Sequence, residues 1–133
     1  RSAWDPQIWT HSFLFLASVV AGANGLYDLC TLLALTTPLS TLYHFDFEKP
    51  GPIAKIEGLM AKLMFVYGVL QLAKAPSTML LVIELLFLVA TLIIFTGTNL
   101  CKEYYDPWHC LMHVVPAFWA MIVACHHTPL IAI

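Results

Sequence analysis

The chain is 133 residues long, 60% hydrophobic and 11% charged, with a net charge of −2. Soluble domains carry about 25% charged residues, so this balance excludes an ordinary soluble domain and points to an integral membrane protein. A slightly acidic chain with no Lys/Arg cluster also excludes nucleic acid as a partner, because binding it needs a basic face.

The sequence starts at Arg1 without a methionine, as expected of a processed or trimmed product, and no signal or transit peptide is visible. A bilayer core about 30 Å thick needs roughly 20 mostly apolar residues per helix. Five spans are expected on that measure, at residues 7–25, 26–45, 56–73, 76–100 and 108–128. The expected fold is therefore all-α, one transmembrane domain over residues 1–133 made of about five helices with very short loops. Only "ANGLYD" separates the first two spans, so a broken or re-entrant element is an alternative there. "EKPGPIAK" separates the second from the third, and its two prolines and glycine stop a helix. "AKAPS" and "CKEYYDP" are short polar turns in which Pro76 and Pro107 suit the first turn of the following helix. The fourth span, "MLLVIELLFLVATLIIFTGT", carries a single charge, Glu84. Trp4, Trp9, Tyr43, Tyr104, Tyr105 and Trp108 fall at span ends, where an aromatic belt belongs.

With five spans, the N-terminus, the 46–55 loop and the 101–107 loop share one face. That face carries Arg1, Lys49, Lys55 and Lys102, against Lys74 alone on the other. The positive-inside rule then puts the N-terminus on the cytosolic, matrix or stromal side. Of the four cysteines, Cys30 and Cys125 fall on the far side, where a disulfide is chemically allowed; small buried hydrophobes are the plainer reading.

The scarce polar residues gather at span ends. "LSTLYHFDF" closes the second span with Ser40, His44 and Asp46, and "DPWHCLMHV" opens the fifth with His109 and His113. The topology brings His44, Glu57, His109 and His113 to one membrane depth from three helices. Ser40 and His44 are four residues apart, as are His109 and His113, so each pair lies on one helix face roughly 5–6 Å apart. Two histidines so spaced, with a third from another helix, make a three-ligand Zn²⁺ set with an open fourth position. Ser40 can then bond a water or substrate oxygen, and Glu57 or Asp46 can take the water's proton. Chlorophyll or haem ligation through histidine, and simple headgroup anchoring, are the alternatives. Pro38 and Pro116 free the carbonyls of Ala34 and Met112, and the resulting kinks favour a cavity between helices.

"LSTLYH" and "DPWHCLMH", with an acidic residue opening the helix between them, resemble motifs of the CREST superfamily. This group of membrane hydrolases includes alkaline ceramidases and the progestin/adipoQ receptors. The resemblance covers residues 26–115 and implies that His44, His109 and His113 bind zinc and that Ser40 lines the site. Glu57 stands where the family carries an aspartate. The implied activity is hydrolysis of a lipid amide or ester within the membrane. The family has seven core helices against five here, which implies a shortened or divergent member, with loss of catalysis as the alternative to an active enzyme.

The other polar residues have plainer expectations. Glu84, Asp28 and the His126–His127 pair belong to the far face, where helix contact and interfacial anchoring are the expected roles. His11 opens the first span on the near face and can join the histidine cluster. Ala17 with Ala21, and Ser18 with Gly22, have the small-xxx-small spacing that lets helices approach closely. The competing function is a non-catalytic accessory subunit of a respiratory or photosynthetic complex, packing against lipid, pigment and other membrane subunits.

Overall fold

A computed structural model describes residues 1–133 and is all-helical. A single turn, α1 (Pro6–Trp9), precedes five longer helices: α2 (His11–Ala23), α3 (Tyr27–Phe45), α4 (Pro52–Leu72), α5 (Thr78–Leu100) and α6 (Tyr105–His126). A 3-10 turn, Lys102–Tyr104, joins the last two. The expected elements are present, with three differences that have local causes. The first expected span is broken at Thr10, where α1 closes on its own cap. Pro52 sits in the first turn of α4, so that helix starts before residue 56. The 3-10 turn passes directly into α6, so Pro107 lies in the first turn of a helix already begun at Tyr105.

Capping explains several of the helix ends. Asp5 accepts a hydrogen bond from the Gln7 amide at 2.8 Å and starts α1 with Pro6 in its first turn. Ser77 accepts from the Leu80 amide and starts α5. Gly25 (φ 79°) turns the chain from α2 into α3, in a conformation that costs glycine little.

The helices pack in the order α4, α3, α2, α6, α5, and the two outer members of this row, α4 and α5, barely touch. Small residues bring the central helices together. Ala17 and Ala21 of α2 and Ala117 and Ala124 of α6 are buried in one core with Leu29 and Leu33 of α3. Ser18 donates to the Cys30 carbonyl at 3.1 Å, and a Cβ on Gly22 would stand 3.2 Å from the Cys30 sulfur. The small-xxx-small stretch thus packs α2 on α3 within the chain. Gly97 of α5 lies under Trp108 of α6, where a Cβ would come within 2.7 Å of the indole ring. All four cysteines are free, so the possible Cys30–Cys125 disulfide is not formed.

The distribution of polarity is inverted relative to a water-soluble protein. Gln7, His11, His44, Gln71, Glu84 and His113 are buried. Phe15, Leu35, Leu63, Val82, Ile93 and Phe118 face outward from α2, α3, α4, α5 and α6. Two helical segments, Thr78–Leu100 and Lys102–His126, are long and apolar enough to cross a bilayer, with mean hydropathies of 2.7 and 1.6. The others fall short for evident reasons. α2 has 13 residues, about 20 Å at 1.5 Å per residue. α3 includes Asp28, five serine and threonine residues and a proline, and α4 holds Lys55, Glu57 and Lys62.

Candidate metal centre

Four histidines meet at the end of the bundle where α2 and α6 begin and α3 ends. His11 and His113 lie with ring centroids 3.9 Å apart, and His44 and His109 with centroids 4.4 Å apart. The ligating atoms of three buried members, His11, His44 and His113, all lie within 4.8 Å of one another, close enough to hold a metal ion. The fourth, His109, brings its Nε2 to 2.8 Å from Nε2 of His44 and stacks on Tyr105. A set of neutral imidazoles suits zinc.

The outward nitrogens of these rings determine which way the lone pairs point. His44 Nδ1–H donates to Glu48 Oε1 at 2.7 Å, leaving the Nε2 lone pair facing the cluster. His113 Nδ1 lies 2.7 Å from the Thr10 hydroxyl oxygen. The Thr10 proton is already given to the Pro6 carbonyl, so Nδ1 of His113 is the donor and Nε2 the bare nitrogen. That Nε2 is buried and has no hydrogen-bond partner, as is Nδ1 of His109. Burying a polar atom without a partner costs about 1–3 kcal/mol, and a cation among the rings removes that cost at His113. The three rings close enough to share one ion include His11, in the place where the sequence spacing put His109. The residues therefore fit an ion by geometry and by protonation state.

Ser40 and Glu57 adjoin the cluster. Nδ1–H of His11 donates to the Ile8 carbonyl, and the Ser40 hydroxyl donates to His11 Nε2 at 2.8 Å. The Ser40 oxygen is also 3.4 Å from Glu57 Oε1. Ser40, Glu57, His109 and His113 line one end of a cavity of about 170 Å³. Its walls are mostly apolar and run between α3, α4 and α6 past Met64, Phe65, Pro116 and Trp119.

Asp46 is not brought to the site. It is exposed beyond the end of α3 and pairs with Lys49 at 3.0 Å, because the turn after Phe45 carries its carboxylate outward. The carboxylate beside His44 is instead Glu48. Phe47 and Glu48 take left-handed backbone conformations (φ 56° and 55°), which fold the chain back over His44. Non-glycine residues hold such angles at a cost, and commonly where a side chain must be aimed. Arg1 fixes Glu48 from outside, with Nη2 3.2 Å from both carboxylate oxygens and Nη1 within reach of Asp5 and Asp106. Burial works against the Arg1 charge, but Glu48 and Asp106 outweigh it and hold the guanidinium above its usual pKa. Gln7 donates to Asp106 at 3.0 Å and completes this polar cover.

Sequence reasoning had no role for Glu48 and Thr10. His44 and Glu48 are four residues apart, but that spacing spans a helix end, where the periodicity no longer applies. Thr10 had only its place beside His11 to single it out.

A second polar cluster occupies the opposite end. Glu84 is fully buried and accepts from Trp119 Nε1 at 3.3 Å, and its other oxygen lies 2.7 Å from Nε2 of His127. Nδ1 of His127 lies 3.0 Å from the Gln71 side-chain oxygen, and the Gln71 amide donates to Tyr67 and to the Thr128 carbonyl. Asp28 accepts from the Leu130 and Ile131 amides. His127 is thus drawn inward as a helix-joining residue, while His126 is exposed.

No protein-family model matches the chain, and no curated protein or solved structure matches it.

Proposed function

We propose that the chain is a five-span membrane protein of CREST type that binds zinc through His44, His109 and His113 and hydrolyses a lipid amide or ester. The observation that carries this reading is the buried, unpartnered Nε2 of His113, aimed into a ring of imidazoles beside Ser40 and Glu57. The inverted polarity supports the membrane setting, since outward leucine, valine and phenylalanine on every long helix are stable against lipid tails.

A bound zinc ion supplies Lewis acidity toward a substrate carbonyl. The chain's own groups supply the rest. Glu57, at the cavity wall, accepts a proton from an attacking water and returns it to the leaving amine or alcohol. Ser40, its hydroxyl held by His11, lines the cavity beside Glu57. The apolar walls between α4 and α6 receive a hydrocarbon chain and exclude water from the reacting end.

The test is metal analysis of the protein purified in mild detergent without chelators. About one zinc per chain is expected, lost in His113→Ala, together with chelator-sensitive release of fatty acid from a ceramide or ester lipid. A preparation free of zinc, or one with the absorbance of haem or chlorophyll, overturns the reading.

A further inference from the structure

The break between α1 and α2 places two buried polar residues, Thr10 and His11, against the histidine cluster. Each has a proton arrangement settled by a backbone carbonyl outside the site. Thr10 spends its single proton on Pro6, so its oxygen can only accept from His113. This determines which nitrogen His113 offers to the cluster, because a ring that gives its Nδ1 proton to Thr10 has a bare Nε2. His11 spends its Nδ1 proton on Ile8, and its Nε2 lone pair receives the Ser40 hydroxyl at 2.8 Å. His11 Nε2 is also near the ligating atoms of His44 and His113.

We propose that Thr10 is a positioning residue of the metal centre: its hydroxyl oxygen, able only to accept, fixes His113 as an Nε2 ligand. The inference rests on the zinc reading above.

The experiment measures zinc affinity by chelator competition on the purified full chain, and the visible absorption of the cobalt-substituted protein. Thr10→Val keeps the side-chain volume and removes the acceptor. It is expected to weaken zinc about 10- to 100-fold, as loss of an outer-shell partner does, and Thr10→Ser is expected to restore it. Cobalt-loaded Thr10→Ser is expected to show the parental spectrum. Parental affinity in a folded Thr10→Val protein overturns the role of Thr10. Weak binding in Thr10→Val that Thr10→Ser does not restore likewise overturns it. A parent protein that holds no zinc removes the underlying reading itself, and so is distinguishable from both.

Discussion

Replacing Glu48 with glutamine removes one charge from the outer side of His44 while keeping the side chain's length and the backbone's left-handed turn. The bond from His44 Nδ1 to Glu48 is 2.7 Å long, and the carboxylate is mostly buried under Arg1. A hydrogen bond to a charged acceptor contributes about 1.5–3 kcal/mol, against about 0.5–1.5 kcal/mol for a neutral one. The difference, about 1.4 kcal/mol, corresponds to roughly tenfold in an equilibrium constant. Zinc affinity in Glu48→Gln should therefore fall by about tenfold, and in Glu48→Ala, which also frees Arg1, by up to about 100-fold. Chelator competition in detergent measures both, with helical circular dichroism reporting the fold. Asp46→Asn is the matched control, since that carboxylate is exposed and pairs only with Lys49, and such surface pairs are worth about 0–1 kcal/mol. Parental zinc affinity in Glu48→Ala, or a loss in Asp46→Asn equal to that in Glu48→Gln, would refute the assignment of Glu48 as the partner of His44.

Three further outcomes are expected. His127→Ala leaves the buried Glu84 without its closest partner and should destabilise the bundle by about 3–5 kcal/mol in thermal unfolding, with Glu84→Leu recovering part of the loss; a parental melting temperature in the single variant would show that the pair is not buried. Gly97→Ala drives a methyl group into the Trp108 ring and should cost about 1–3 kcal/mol, relieved when Trp108 is also truncated; additive losses in the double variant would place the clash elsewhere. Acidification should release zinc, because protons compete for the imidazole lone pairs, and free-zinc indicator dyes would record the release as pH falls.

The helices were legible because hydrophobic length is hard to disguise. Residues 26–45 and 76–100 differ from Tyr27–Phe45 and Thr78–Leu100 by no more than two residues at either end. The break at Thr10 was not legible, since threonine is tolerated in helices and Thr10 itself keeps helical backbone angles. The i,i+4 spacings brought Ser40 with His44 and His109 with His113, and the topology brought the pairs together with Glu57. Asp46 and Glu48 flank Phe47 and are indistinguishable by chemistry. Only the left-handed turn at Phe47 and Glu48 decides which carboxylate reaches His44. His126 and His127 pose the same problem at the other end, where the chain's exit from α6 turns one inward and leaves the other out. Periodicity assigns faces within an element, and these choices are made just past an element's end.

The partners at the histidine cluster are far apart along the chain: Thr10 and His113 are 103 positions apart, and His44 and His109 are 65. Helices made early in synthesis hold half of a pocket whose other half arrives last. Until α6 is in place, His11, Ser40 and His44 have no counterpart, and no stable grip on an ion is available. On the zinc reading, metal uptake is tied to the completion of the chain, and a tightly held ion would mark a molecule whose first and last helices have found each other. Nascent chains halted before residue 113 should stay metal-free however long they wait.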